Sequence, residues 1–369
     1  MALFGNKDSY VGIDLGTAGI KIVELSGAGG QPKLVTYGYT DEAINIVRND
    51  SAEVQGKVVA LLKEIFKKAR VGSNKVVAAL PSFAVFSAVI SLPAMSRREL
   101  ASAVRWEAKK FVPMPIDEMI LDWKLLNDEE AKDEKAPAPA NGEAEEAAAP
   151  NKNLSVLLTA APRNLVQRYV NIFKTINVKL VGIETEAFAL ERSLIGQDKS
   201  AVMVVDIGGM NTNVSVIRDS IPLLNRSIDV GGATITSTIA NGLNVDLSRA
   251  EQFKRDFGMT SSGEGNQQIP KTIEFVISSI INEIKYCFNL YQNQTVGQGG
   301  QMKQIEKVVL TGGSAFLPAL PEYLAKVLNM RVFIGDPWSR IAYPEELRPV
   351  LQELGPRLSV AVGLAMREI

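Results

Sequence analysis

The chain contains no histidine. That excludes Ser-His-Asp and Cys-His catalysis and every His-ligated metal site. It contains a single cysteine, Cys287, so an internal disulfide and a Cys-x-x-Cys zinc site are excluded as well. Cys287 sits in an apolar helical pattern and reads as a buried structural residue rather than a reactive thiol. Positive charge is not in excess: 40 Lys and Arg stand against 41 Asp and Glu, which removes the electrostatic reason to expect nucleic acid. No Gly-x-x-x-x-Gly-Lys-Ser/Thr occurs, so the chain is not a P-loop protein. The N-terminus, Met1 to Lys7, lacks the apolar stretch of a secretory signal. One uncharged segment, Val76 to Ser96, is long enough to span a bilayer. Pro81 and Pro93 interrupt it, and its apolar residues come in runs of strand length, so it reads as two buried strands. The chain therefore reads as cytoplasmic and without a span. The chemistry left to it is carboxylates, hydroxyls, lysines, backbone amides and a hard cation such as Mg²⁺.

What is present is one pattern used twice. An apolar strand turns at Asp-x-Gly and runs into a second strand, first at Val11 to Leu25 and again at Val202 to Ile217. Each copy sets a carboxylate, Asp14 or Asp206, at the end of a buried strand and follows it with backbone that carries few side chains. Such a turn offers N–H groups to an anion, and the aspartate can hold a hydrated metal beside it. Alone, Asp14, Gly16, Thr17 and Gly19 make a plain β-turn with Lys21 facing solvent. A third piece, Leu310-Thr311-Gly312-Gly313-Ser314-Ala315, is a strand ending in a Gly-Gly turn, which by itself is only a helix entry. All three in this order point to two similar domains closing on a nucleotide phosphate chain. With 369 residues, 46% hydrophobic and 22% charged, the chain has room for two cores.

Between these pieces, residues 33–40 read as a strand and 53–70 as an amphipathic helix, with a buried strand at Lys75 to Leu80. Phe83 to Leu92 is strand-like. A helix opens at Ser96, where Ser96 and Glu99 make a capping box and Met95 and Leu100 stand as a hydrophobic staple; it stops before Pro113. Strands at 119–126 and 154–160 flank Asp128 to Lys152, a stretch with eight acidic and three basic residues and no large hydrophobe. It cannot add to a core and reads as a surface insert, a docking segment being the alternative. Helices near 163–176 and 185–195 enclose a strand at 179–184. Ser248 to Phe257 is predicted helical, with Ser248 and Glu251 spaced as a second capping box, and 259–270 is a Gly/Ser/Gln loop. A long helix carrying Ile273, Ile277, Ile280, Ile281, Ile284, Phe288 and Tyr291 follows, then a loop at 293–303, a strand at Lys307 to Leu310 and a final helix from Arg357 to Arg367.

At this point the chain resembles the actin-like ATPase superfamily of actin, sugar kinases and heat-shock chaperones. Ile13 to Thr17 with Lys21 looks like the first phosphate motif, and Val205 to Asn211 like the second. Leu310 to Ala315 looks like the adenosine motif. Gly182 to Leu190 and Ala361 to Ala365 look like the two connecting helices. The unit at 83–182, Leu92-Pro93 before a capped helix, Phe111-Val112-Pro113 and Ala250 to Lys254 are similar to the FtsA branch, and within it to the PilM family of type IV pilus assembly. An FtsA would be expected to end in a linker and amphipathic helix. This chain ends at Arg367-Glu368-Ile369, which favours the PilM resemblance.

The resemblance implies an α/β actin-like two-domain fold, duplicated RNase H-like domains around a nucleotide cleft. The first domain would comprise 1–82, 183–200 and 351–369, with 83–182 inserted. The second would comprise 201–230 and 301–350, with 231–300 as its capping part. It implies ATP and Mg²⁺ as ligands. Asp14 and Asp206 would hold the metal largely through water, Gly16, Thr17, Gly208, Gly209 and Asn211 would wrap the phosphates, and Lys21 would offset their charge. Gly231 and Gly232 lie near the nucleotide or form a plain turn. Glu251 and Lys254 match ribose and base positions, though for Glu251 the capping box explains as much. Gly312, Gly313 and Ala315 would sit against the adenosine. Glu184 takes the place of a water-positioning acid, with Glu186 the other candidate, so any hydrolysis should be slow.

The function implied is an ATP-binding scaffold of pilus assembly. A groove between the first domain and the inserted part would take the cytoplasmic N-terminal tail of an inner-membrane PilN, recruiting the chain to the membrane's inner face. Exposed members of the 96–111 helix and of strand 83–92 are groove candidates by location alone, and Trp106 is either an anchor or plain core. An FtsA-like filament-forming ATPase, a small-molecule kinase and a chaperone are the rivals. Self-association stays open.

Overall fold

The computed structural model describes residues 9–27, 30–44, 46–112, 114–126, 153–260, 268–297 and 304–369. The acidic 128–152 stretch and the centre of the 259–270 loop lie outside them. The chain divides into two compact units, residues 1–84 with 167–369 and residues 85–166.

The larger unit opens with β1 (Ser9–Gly16), β2 (Gly19–Ser26), β3 (Lys33–Tyr39), α1 (Ala52–Lys68) and β4 (Lys75–Leu80). In the smaller unit β5 (Phe86–Leu92), α2 (Arg97–Phe111), β6 (Met119–Leu125) and β7 (Leu154–Pro162) follow. Its sheet runs β5-β7-β6, all antiparallel, and α2 buries Leu100, Val104 and Ala108 in a core with Ile90, Val156 and Leu158. The predicted Ser96–Glu99 capping box is present in full, and Met95 packs beside Leu100 as the staple requires.

After α3 (Arg163–Thr175), β8 (Lys179–Thr185) and α4 (Glu186–Leu190), the chain enters β9 (Ala201–Ile207), β10 (Thr212–Arg218) and β11 (Ile221–Ile228). Then come α5 (Gly232–Leu243), α6 (Leu247–Phe257), α7 (Gln268–Gly297), β12 (Ile305–Thr311), α8 (Leu320–Leu328), β13 (Arg331–Ile334) and α9 (Arg348–Ala365). Two five-stranded sheets result, ordered β3-β2-β1-β4-β8 and β11-β10-β9-β12-β13. In both, the first three strands are antiparallel and the last two join in parallel, so the duplication read from the Asp-x-Gly repeats extends to whole sheets. Each sheet is the floor of one lobe.

A shared core ties the lobes together: Val77, Ala79, Ala189 and Leu190 of the first meet Val202, Val204 and Val309 of the second, with Val360 and Leu364 of α9 between them. Several boundaries differ from expectation. The last helix begins at Arg348 rather than Arg357, because twelve buried residues on α9 outweigh the donor that Pro356 removes. The cap of α6 is Asp246, whose side chain accepts from Arg249 N, and not Ser248. The long helix continues to Gly297, through the start of the predicted 293–303 loop. Among the described residues no helix is long and apolar enough to cross a membrane.

Candidate functional site

The two hairpins face one another across a cleft of about 690 Å³. Asp14 and Lys21 are cross-strand partners in β1 and β2, and Lys21 Nζ lies 3.2 Å from Asp14 Oδ2. Asp206, near the end of β9, stands opposite Asn213 of β10 and beside Thr311 of β12. The turns approach so closely that a Cβ on Gly209 would collide with the side chain of Ala18. Gly312 has φ of 88°, a left-handed conformation open to glycine, and a Cβ there would meet the Asp206 carboxylate.

The electrostatics of this cleft are those of a place short of positive charge. Burial first, and then the nearby Asp14, push the Asp206 carboxyl up to about 6 against the pull of Lys21. Glu186 is raised well above the carboxylate range by burial, then by Asp14 and Asp206. Its Oε2 accepts from Ser82 N at 2.9 Å and Asn213 Nδ2 at 3.0 Å. Asn213 Oδ1 and Ser82 Oγ, both buried, have no hydrogen-bond partner. Buried polar atoms are rarely left so unless a ligand or water completes them.

Most of the expected residues meet here. Asp14, Gly16, Thr17, Lys21, Asp206, Gly208, Gly209, Asn211, Gly232, Glu251, Lys254, Gly312 and Gly313 all line the cleft. Three do not. Glu184 is not part of the lining; it is held in ion pairs with Arg192 and Arg367. The change from strand to helix falls between them: Glu184 is still on β8, where alternation would set both on one face, whereas Glu186 opens α4 and takes the place in the cleft. Ala315 is fully buried in the second lobe's core, and Ser314 and Phe316 line the cleft instead. Gly231 lies beneath the surface, where the carbonyls of Gly208 and Gly209 leave no room for a Cβ.

Glu251 does not cap its helix. Its Oε2 lies 2.6 Å from both Thr236 Oγ1 and Lys254 Nζ, and Lys254 also donates to Gly232 O at 3.2 Å. Sequence reasoning missed Asn213, Ser314 and Arg357 among the lining residues. Asn213 was within reach, since its register opposite Asp206 follows from hairpin pairing. Arg357 was hidden by placing it at a helix start. In the smaller unit Trp106 is 68% exposed, so the reading of it as core is overturned.

Duplicated sheets, Asp-Gly hairpins facing across a cleft and two helices crossing beneath it define an actin-like two-lobed protein. The comparisons agree. A family model described as type IV pilus assembly protein PilM matches residues 12–138 and 142–369. A solved PilM–PilN type IV pilus biogenesis complex superposes with a TM-score of 0.78 at 26% identity, covering 97% of this chain and 98% of that one. MreB 5 of Spiroplasma citri bound to AMPPNP shares the fold alone, at 14% identity and a TM-score of 0.53 over 98% and 96% of the chains. The cell division protein FtsA of Neisseria meningitidis is 24% identical over 215 residues, 54% of this chain and 50% of the relative. The chain thus spans about half the length of that curated relative. The chain belongs to the type IV pilus assembly protein PilM family.

Proposed function

We propose that this chain is an ATP-binding scaffold of type IV pilus assembly that takes the cytoplasmic N-terminal tail of a PilN-like inner-membrane protein. On this reading it works in the cytoplasm and reaches the membrane's inner face through that partner. The observation that carries the partner is the likeness, across nearly the whole length of both chains, to a PilM–PilN complex. A fluorescently labelled tail peptide titrated with the chain tests it. Saturable binding that tightens when Mg-ATP is added is expected, and no binding in either condition would sink the reading.

Support for the nucleotide comes from the cleft. Its lining brings carboxylate oxygens and backbone amides together with Lys21; Asp206 and Glu186 are raised by burial and then by neighbouring carboxylates; and its wall carries unpartnered polar atoms. Such a set suits a triphosphate with a hard cation. Among the described residues no three His, Cys, Asp or Glu side chains gather as a direct cage. Mg²⁺ keeps several waters and accepts phosphate ligands, so Asp14 and Asp206 would hold it largely through water. The bound ion would supply charge neutralisation on the phosphates. Lys21 would then exchange Asp14 for phosphate oxygens, while the turns at Gly16–Thr17 and Gly208–Gly209 wrap them through backbone. Gly312, Gly313 and Ser314 would face the adenosine.

Hydrolysis, if any, would use Glu186 to orient water, held by Ser82 N and Asn213 Nδ2. Two substitutions separate the carboxylates. Glu186→Gln should keep ATP affinity within about threefold and lower any measured hydrolysis by at least about tenfold. Glu184→Gln should leave both alone and lower stability by about 1–3 kcal/mol, because Arg192 and Arg367 lose the charge of their shared carboxylate. Single-turnover assays and thermal melts read the two effects, and a Glu184→Gln protein lacking hydrolysis at full stability would reverse the assignment.

A further inference from the structure

Asn211 lies in the tight β9–β10 turn, closed by Gly208 N donating to Asn211 O at 2.9 Å. Its side chain is buried and lines the cleft. Its Nδ2 donates to Asp229 Oδ1 at 2.5 Å. Asp229 follows β11 and carries a second contact, to Arg48 Nη2 at 2.6 Å. Arg48 belongs to the other lobe, in the segment between β3 and α1, and its guanidinium stands 5.7 Å from the ring centroid of Phe83, another cleft residue. That segment is itself fixed from α3. The Arg168 guanidinium donates to the carbonyls of Ile46 and Val47 and pairs with Asp50 at 3.4 Å. A continuous polar chain therefore runs from α3 of the first lobe to the phosphate turn of the second.

The chemistry of the middle link decides what it does. An ionised carboxylate only accepts, so the Asn211 amide must present Nδ2 to Asp229. That fixes the amide's flip and leaves Oδ1 and one N–H for the cleft. Without Asp229 the amide turns freely and can set its carbonyl against phosphate oxygens, which repel it. We infer that Asp229 and Arg48 are positioning residues for nucleotide. Asp229 orients Asn211 toward the phosphate chain, and Arg48 holds Asp229 from the opposite lobe, so that phosphate recognition and lobe closure are one event. This rests on the reading of the cleft as an ATP site.

The test is Mg-ATP affinity by calorimetry for the wild-type chain and for R48A, R48K, D229N, N211A, R48A/D229N and D229N/N211A. D229N should weaken binding about tenfold, and R48A two- to fivefold with partial rescue in R48K. R48A/D229N should be no weaker than D229N, and D229N should add nothing in the N211A background. Melting temperatures without nucleotide should be alike for wild type, R48A and D229N, since both side chains are at least half exposed. A purely structural role would move the melts instead. D229N affinity equal to wild type, or a further loss in the N211A background, would overturn the inference and leave the ATP reading standing. A wild-type chain that binds no ATP would overturn both.

Discussion

Replacing Asp206 by asparagine is expected to weaken Mg-ATP binding by more than about tenfold and to raise the melting temperature of the ligand-free protein. The two effects have one cause. The Asp206 carboxyl is pushed up to about 6, first by burial and then by Asp14, against an ordinary unfolded value near 4. An acid raised in the folded state binds more protons there than in the unfolded chain between those two values. Its contribution to stability therefore falls as pH rises through that window and stays lost above it. The shift corresponds to at most about 3 kcal/mol, and solvent in the open cleft reduces it to roughly 1–2 kcal/mol. Asparagine keeps the shape and removes the charge. The gap in melting temperature between D206N and wild type should be small near pH 4, widen up to about pH 6 and stay level beyond. Mg-ATP should close most or all of the gap at neutral pH, because a ligand at a hundred times its Kd adds about 2.7 kcal/mol to wild type and at most about 1.4 kcal/mol to a variant that binds at least tenfold more weakly. A ligand-free D206N protein that melts below wild type at pH 7 would show that the charge is met by the fold rather than held in reserve for a cation.

How far the molecule could be read from its sequence depended on whether the signal was local. The capped helix at Ser96, the strands at Lys75 to Leu80 and 154–160, and the Asp-x-Gly repeats are written in residues a few positions apart, and each stands where expected. The site was legible where a motif carries its own backbone geometry. Gly16, Gly208, Gly209, Gly312 and the two aspartates all line one cleft. It was not legible where tertiary pairing decided direction. Glu184 and Glu186 differ by two residues at a strand–helix junction, and only Arg192, in the helical turn Glu191–Ile195 after α4, and Arg367, just past α9, show which one turns away. Ser248 with Glu251 satisfied the spacing of a capping box, yet Asp246 took the cap because Glu251 has better partners in Thr236 and Lys254. Pro356 hid nine residues of α9, since nothing near it in sequence shows that the helix is buried in the core shared by the two lobes.

The same helix carries a large expected stability effect. Gly363 of α9 crosses α4 so closely that a Cβ would collide with the carbonyl oxygen of Ala189, with the Ala189 Cα only 2.9 Å away. Those atoms are backbone and cannot rotate aside, so a side chain at 363 must push the helices apart. The core that joins the lobes would open with them, because Ala189, Leu190, Val360 and Leu364 belong to it. The Gly363 carbonyl would also move away from Arg192 Nε, which donates to it at 2.9 Å. Gly363→Val should therefore cost more than about 4 kcal/mol and lower the melting temperature by about 5 °C or more. Gly56→Ala is the matched control. Gly56 lies inside α1 with open space where its Cβ would stand, so alanine there should stabilise by about 0.5–1 kcal/mol. Gly363→Ala meets the same collision with less bulk. If it folds, its lobes start from a displaced crossing, and nucleotide affinity should fall even though position 363 is not among the cleft-lining residues. A Gly363→Val protein that melts with wild type would mean that this crossing does not set the distance between the lobes.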